Sequence, residues 1–421
     1  MNHGPFPIAM PRQAGFTLVE MIVSLAITAL LLVGVLATFD LNSRITRVET
    51  HVADMQQSMR IAQDDIVRTV RMAGRGGLTL ADAANPLPQG VAISFRDNVA
   101  DDQLMVATDP ETRIVAGTDV LTVRGVLGTL YQSNVAGSLT LVPAVNPTSG
   151  TLVITDPSPG GAAQDLTPLK TAIADGVPEA ILLVSTLDDT INAVVELNPG
   201  ASVVGANSVT LAFRVSGSAQ ADAYGKLSPG GVFPAALQNV SYAGILEEYR
   251  YYIREDHAIP NDRASDLTPK LVKARFFPGT DQPYRGQAIN ARLDLADNIL
   301  DLQVAFGFDT TNLGSRAQDE DHLGQDDEIA ESDDGQGDDW LFNAAADQPT
   351  DAVWQNLPPE YVRISTLART DRRDPDPNYR SPLLPERIEN RAYPATDPAN
   401  SDTERKFRRR RLQTLIDLRN L

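Results

Sequence analysis

An unbroken apolar stretch near the amino terminus constrains this chain more than any other feature. It runs from Phe16 to Phe39, and the 19 residues from Met21 onward carry no charge. As a helix rising about 1.5 Å per residue, that run spans roughly 28 Å, close to the ~30 Å hydrocarbon core of a bilayer. One acid, Glu20, lies near its start, and a carboxylate inside such a segment indicates a functional role.

The residues from Gly15 to Ile22 read GFTLVEMI. This pattern resembles the start of type IV prepilins, the class that includes the pseudopilins of type II secretion. The resemblance implies cleavage between Gly15 and Phe16 by a membrane prepilin peptidase, followed by N-methylation of Phe16. It also implies that the apolar segment stays on the mature chain, where it serves in assembly.

The apolar stretch allows two other interpretations. A secretory signal peptide would use Val35-Leu36-Ala37 as a small-residue cleavage site. Against it, the stretch exceeds the usual length of about 7–15 residues, and its leader holds a single basic residue, Arg12. A plain membrane anchor without an assembly role is the other interpretation, and it leaves Glu20 without a purpose.

Glu20 needs a cation if it is to lie in a bilayer. Cleavage after Gly15 would create an amine on Phe16, four residues before Glu20 and on the same face of a helix. The carboxylate could therefore pair within its own chain. The family resemblance implies that it also pairs with the amine of a neighbouring subunit, and the sequence leaves both pairings open.

Composition excludes several classes of function. The formal net charge of −19 argues against general nucleic-acid binding, because phosphate binding needs clustered Lys and Arg. The absence of cysteine excludes disulfides, thiolate catalysis and cysteine-ligated metal sites. The histidines show no metal-ligand spacing and no catalytic motif occurs. The chain is therefore predicted not to be an enzyme and to need no cofactor.

A second apolar pattern extends the first helix. Apolar residues recur at steps of three or four, at Leu41, Ile45, Val48, Val52, Met55, Met59, Ala62, Ile66, Val70 and Ala73. This spacing predicts an amphipathic helix that ends at Gly74-Arg75-Gly76-Gly77, so that one helix runs from Phe16 to about Ala73. The stripe could form a coiled coil, but packing against a sheet of the same chain is favoured.

From Leu78 onward, short alternating runs separated by Gly, Pro, Asp and Asn predict strands. The expected strands are Val91–Phe95, Gln103–Thr108, Val120–Arg124, Ser138–Val142, Thr151–Thr155, Ile181–Ser185, Ala193–Leu197, Ser208–Val215, Ile245–Arg254, Leu271–Phe277, Ile299–Phe308, Tyr361–Arg369 and Leu412–Leu418. Short helices are expected at Thr167–Ala174 and Ala288–Asn298. The predicted fold class is α+β, with a long pilin-type helix packed on a β-rich globular head.

The carboxyl-terminal half of the sequence indicates a more specific family within the type IV prepilins. Four stretches in this order are similar to the PilW-type minor pilins, relatives of the J pseudopilin of type II secretion: Glu248–Arg254, Leu295–Thr310, Tyr361–Thr370 and Leu415–Leu421. Residues 78–237 match no family that can be named from the sequence. The expected organisation is a leader at 1–15, a transmembrane segment at 16–39, an amphipathic half-helix at 40–77 and an extracytoplasmic head at 78–421.

The resemblance implies a minor pilin that enters the initiation or tip complex of a type IV pilus. Its implied partners are other minor pilins, the major pilin, the prepilin peptidase and the inner-membrane assembly platform, with a tip adhesin as a further candidate and no specific nucleic acid. The implied location is a single pass of the inner membrane, then the pilus tip. A J-type pseudopilin and a membrane-anchored adhesin or binding module that never polymerises are the alternatives.

Two charged runs stand out in the head. Residues 319–339 hold 11 carboxylates in 21 residues without Lys or Arg, which makes Asp333, Asp334, Asp338 and Asp339 weak candidates for calcium ligands. A solvated acidic insertion is the favoured interpretation, because blocks of like charge are usually solvated.

Residues 405–411 hold six basic residues in seven. They could contact DNA or anionic lipid, pair with the acidic run, or lead into the last strand, which is favoured.

Overall fold

The computed structural model describes residues 17–80, 91–132, 139–142, 148–156, 164–185, 191–231, 233–234, 237, 239–257, 267–284, 292–307, 340–342, 359 and 361–418. Its helices are α1 (Leu18–Val70), α2 (Thr167–Asp175) and α3 (Ala219–Gly225). The chain divides into two compact units, one that ends at Ala53 and one that begins at Asp54.

All the strands of the described residues lie downstream of α1, which confirms the predicted α+β class. In chain order they are β1 (Ile93–Arg96), β2 (Val120–Gly125), β3 (Leu130–Gln132), β4 (Leu139–Val142), β5 (Ser149–Thr155), β6 (Ala180–Ser185), β7 (Asn192–Leu197), β8 (Val203–Val204), β9 (Ser208–Arg214), β10 (Val240–Arg254), β11 (Lys270–Phe276), β12 (Arg292–Asp297), β13 (Ile299–Gly307), β14 (Trp340–Leu341), β15 (Tyr361–Arg369), β16 (Arg387–Ile388), β17 (Arg391–Ala392) and β18 (Arg409–Asp417).

A large antiparallel sheet is organised around the long strand β10. The main path of this large sheet runs β1-β2-β10-β6-β7-β9-β5-β4. The first half of β10 pairs with β3 and β6, and its second half pairs with β2 and β11. Helix α2 covers the β5, β6, β7 and β9 part of this sheet, and its Leu169 and Ala172 are buried in the same apolar core as Leu152, Leu183 and Leu211.

The small sheet has the strand order β14-β13-β15-β18 in the described residues. Its central strand β15 is buried at every position, from Tyr361 to Arg369. The hairpin β16–β17 lies against it, since Glu389 between those two strands accepts hydrogen bonds from Arg363 Nη2 (2.6 Å) and Ser365 Oγ (2.6 Å). Three of the four carboxyl-terminal stretches that resemble a known family contribute β13, β15 and β18 to this sheet, whereas the first, Glu248–Arg254, lies in β10 of the large sheet.

Helix α1 ends where the glycine-rich turn begins. Its last residue is Val70, three residues before the expected end, and turns follow through Gly77. Gly76 has a φ of +99°, which L side chains rarely adopt, and a Cβ there would collide with Val126. The turn therefore requires glycine and stops the helix as the sequence predicts.

The predicted apolar stripe is buried in the unit that begins at Asp54. There the buried residues of α1 are Met55, Met59, Ala62, Gln63, Ile66, Thr69 and Val70. The apolar members all belong to the predicted stripe, which confirms packing on the chain's own sheets for this part of the helix. Gln63 and Thr69 are polar exceptions, and burial of such groups requires hydrogen-bond partners.

Polar contacts connect this part of α1 to both sheets. On the large sheet, the Tyr251 hydroxyl donates to Asp65 Oδ2 (2.6 Å) and lies 2.7 Å from Thr69 Oγ1. On the small sheet, Gln63 Nε2 donates to the Leu412 carbonyl (3.1 Å), and Thr414 Oγ1 donates to Gln63 Oε1 (2.6 Å). These buried contacts fix the rotation of this part of α1, from Asp54 onward, against the sheets, because slipping it by one residue would leave each partner unsatisfied.

A buried ionic cluster lies at the centre of β10. Glu248 is fully buried and its carboxylate lies 2.6 Å from Arg124 Nε and 2.6 Å from Arg250 Nη2, and it accepts the Gly279 amide at 2.8 Å. Burial alone would raise the pKa of Glu248, but the two guanidinium groups and the amide outweigh it and hold that pKa at about 2. The carboxylate is therefore ionised and joins β2, β10 and the turn after β11.

Two of the secondary-structure predictions are wrong. The helix predicted at Ala288–Asn298 is strand β12 over Arg292–Asp297, with 288–291 outside the described residues. Pairing with β11, in which Lys273 faces Leu293, overrides the helix propensity of its Leu and Ala residues. The strand predicted at Gln103–Thr108 is irregular backbone with one bridge, between Leu104 and Arg113. Helix α3 and the short strands β3, β8, β14, β16 and β17 were not predicted.

Candidate functional site

The apolar half of α1 is a fully exposed rod. Every residue from Leu18 to Phe39 is exposed to solvent, including Leu25, Leu30 and Phe39 at 69–77%. In the described part of the chain, α1 is the one helix that is long and apolar enough to span a membrane. An apolar surface of this size on a protein indicates contact with lipid or with other chains.

The hydroxyl groups of this segment are satisfied within the helix. Ser24 Oγ donates to the Glu20 carbonyl (2.8 Å), Thr28 Oγ1 to the Ser24 carbonyl (2.7 Å), and Thr38 Oγ1 to the Gly34 carbonyl (2.9 Å). These backward bonds hide each polar side chain against the backbone. The segment therefore presents no unpaired hydroxyl to hydrocarbon, in which an unsatisfied polar group is costly.

Glu20 has a structural partner in its own chain. Its Oε2 accepts hydrogen bonds from the Thr17 amide (2.9 Å) and the Thr17 hydroxyl (2.9 Å), and Thr17 Oγ1 accepts the Glu20 amide at 3.3 Å. This reciprocal arrangement is a capping box, in which Thr at the N-cap and Glu three residues later satisfy orphan amides. The sequence signal T-x-x-E was present in Thr17-Leu18-Val19-Glu20, but its capping meaning was missed.

The capping box leaves the Glu20 carboxylate able to pair with a cation. Its carboxylate accepts uncharged donors and has no ion pair among the described residues, and its side chain is exposed at the end of the apolar rod. A cation that approaches the start of the helix can still pair with it. Glu20 can therefore serve both as a cap and as a charge that recognises an amine.

The other predicted site residues lie outside the described residues. These are Gly15 and Phe16, together with the calcium candidates Asp333, Asp334, Asp338 and Asp339. Cleavage between Gly15 and Phe16, methylation of Phe16 and calcium binding therefore stay predictions. Within the described ranges, no group of three or more His, Asp or Glu side chains is placed to hold a metal ion.

The basic run at 405–411 enters the last strand, as the sequence favours. Arg409, Arg410 and Arg411 are the first residues of β18. Arg408 Nε pairs with Asp374 Oδ2 at 2.7 Å, and Arg411 Nη2 lies 3.6 Å from Glu389 Oε1. Contact of this run with DNA, lipid or the acidic run at 319–339 is not tested by these contacts.

Comparison with known families finds two matches. Residues 10–36 match the prokaryotic N-terminal methylation motif, and residues 250–420 match the family described as Type IV Pilus-assembly protein W. Comparison with curated proteins and with solved structures finds no match. The resemblance to prepilins and to PilW-type minor pilins is confirmed, and both families are structural pilus components rather than enzymes.

The two matches fall on the two features that the structure separates. The methylation motif covers the start of the exposed apolar rod and Glu20, and the PilW match runs from the second half of β10 to the end of β18. Residues 37–249, which include most of the large sheet, lie outside both matches. The two matches support a minor pilin role, and neither covers the middle of the head.

Proposed function

We propose that this protein is a minor pilin that is cleaved between Gly15 and Phe16, is methylated on Phe16, and enters the initiation or tip complex of a type IV pilus. The observation that carries the proposal is the exposed apolar half of α1 inside the matched methylation motif. Such a rod is stable in a bilayer before assembly and among other apolar helices after it.

Assembly would use the charge of Glu20. Cleavage creates a cationic amine on each Phe16, and a carboxylate buried among apolar helices requires such a partner. Pairing between Glu20 of one subunit and the amine of its neighbour would set the axial position of each subunit. The partners would be other minor pilins, the major pilin, the prepilin peptidase and the inner-membrane assembly platform.

The head supports a tip position rather than a place in the shaft. The unit that begins at Asp54 holds both the large and the small sheet and comprises most of the chain. A head of this size is difficult to repeat along a thin filament. The head would lie outside the inner membrane before assembly and at the end of the pilus afterwards, where it could support a tip adhesin.

Deletion of the gene and immunogold labelling of the restored strain test this proposal. We expect the deletion to reduce the number of surface pili strongly, and we expect gold particles at filament ends in the complemented strain. Even labelling along the filaments would contradict the tip position. Normal pili with a failure of protein secretion would assign the chain to a type II secretion system instead.

A further inference from the structure

Strand β18 forms an open edge of the small sheet. It pairs with β15 along its whole length, from Arg409 opposite Arg369 to Asp417 opposite Tyr361. No strand pairs with its other side in the part of the chain that the structure describes. A nine-residue strand is unusually long to have one side unpaired among the described residues, because free amides and carbonyls can template another strand.

The register shows which backbone groups point outward. The Thr370 amide donates to the Arg408 carbonyl, and neighbouring pairs alternate between bonded and non-bonded in an antiparallel ladder. The even-numbered residues of β18 therefore bond to β15. The amides and carbonyls of Arg409, Arg411, Gln413 and Leu415 point away from the sheet, which gives a regular row of donors and acceptors.

The side chains along this edge carry an excess of positive charge. Arg410 is exposed, and neither it nor Arg409 has an ion pair among the described residues. The guanidinium nitrogens of Arg409 are buried without a hydrogen-bond partner in the described region, and burial lowers the pKa of Arg409. A carboxylate beside this edge would offset part of the cost of that charge.

We propose that the outer edge of β18 binds an extended acidic segment of another pilus subunit by strand addition. Main-chain hydrogen bonds to Arg409, Arg411, Gln413 and Leu415 would supply affinity, and carboxylates on the face of the exposed Arg410 would supply specificity. The identity of the partner as a pilus subunit rests on the proposed function, but the chemistry of the edge does not.

The simplest competitor is a second copy of the same edge. Parallel pairing of two β18 strands would place Arg409, Arg410 and Arg411 of each copy side by side, and like charges on paired strands are destabilising. Antiparallel pairing would instead set Arg409 opposite Asp417. The charge of the edge therefore disfavours the parallel pairing of identical heads, and it favours an acidic strand from a different subunit.

Binding of a labelled acidic peptide to the full chain in detergent micelles tests the edge directly. The probe alternates Glu and Val over eight residues, and two control peptides replace Glu with Lys or place Pro at the centre of the acidic sequence. By fluorescence anisotropy at low salt, we expect the acidic peptide to bind at least about tenfold more tightly than either control. The lysine peptide lacks the negative charge, and the proline peptide cannot form an uninterrupted strand.

Two pairs of variants locate the binding. Gln413→Pro removes one outward amide and places a ring where the added strand would lie, whereas Gln413→Thr keeps the amide. Arg410→Glu reverses an exposed charge on the edge, whereas Arg372→Glu makes the same change on a loop side chain that is 76% exposed. We expect Gln413→Pro and Arg410→Glu to weaken peptide binding by about tenfold, and their partners to leave it unchanged.

Equal binding of the acidic and lysine peptides, or of the acidic and proline peptides, would overturn the proposal. Unchanged binding by Arg410→Glu would also overturn it, and that variant decides if Gln413→Pro fails to fold by circular dichroism. Because the peptide assay needs no pilus, its failure leaves the minor pilin role standing. Failure of the chain to enter pili would in turn leave a positive peptide result intact.

Discussion

Glu20→Gln is expected to reduce incorporation of this protein into pili at least about tenfold. Glutamine can replace glutamate in a capping box, so the contacts with Thr17 are retained while the charge is lost. Removal of one partner from a desolvated ion pair costs about 3–5 kcal/mol, which exceeds the ~1.4 kcal/mol that corresponds to a tenfold change. Quantitative immunoblots of sheared pili, normalised to the membrane pool, measure the effect.

Thr17→Val is the matched control for Glu20→Gln. Loss of the cap hydroxyl destabilises the first turn by about 0.5–2 kcal/mol but leaves the carboxylate in place. We expect Thr17→Val to be incorporated nearly as well as the wild type. If Thr17→Val loses incorporation as strongly as Glu20→Gln, a weakened first turn is enough to block assembly and the charge of Glu20 has no separate role. If Glu20→Gln enters pili normally, its charge has no role in assembly.

Glu248→Gln should lower the free energy of unfolding of the head by about 3–5 kcal/mol. The substitution removes the buried carboxylate that lies 2.6 Å from both Arg124 Nε and Arg250 Nη2, so that each guanidinium loses a charged partner that is shielded from solvent. Urea denaturation of the full chain in micelles, followed by tryptophan fluorescence, measures the loss.

The exposed carboxylate of Glu111 provides the comparison for the buried carboxylate of Glu248. Glu111 is 64% exposed and lies 3.7 Å from Arg292, so that Glu111→Gln should change the free energy of unfolding by less than about 1 kcal/mol. A loss for Glu248→Gln as small as that of Glu111→Gln would show that the cluster contributes little to the stability of the head.

The sequence predicts the features that depend on local patterns. The uncharged run from Met21 to Phe39, the stripe that includes Met59 and Ile66, and the stop at Gly76 each need only neighbouring residues to be recognised. Strands such as β15 follow from short β-branched and aromatic runs with polar interruptions. These predictions agree with the structure because local propensity and tertiary packing favour the same conformation.

Other features depend on residues far apart in the chain and could not be predicted in this way. Glu248 and Arg124 are 124 positions apart, and Gln63 bonds to Leu412 across 349 positions. Strand β12 has the composition of a helix and becomes a strand only because β11 offers it an edge. The capping role of Glu20 is readable from the sequence, since Thr17 stands three residues before it in the T-x-x-E pattern.

Mass spectrometry of the amino terminus of the native, membrane-purified protein tests the central claim most directly. The account predicts a chain that begins at Phe16 and carries one methyl group on its amine, because a free end beside Glu20 is what allows the helix to pair with its neighbours. A mature chain that retains Gly15, or that begins after Ala37, would contradict it.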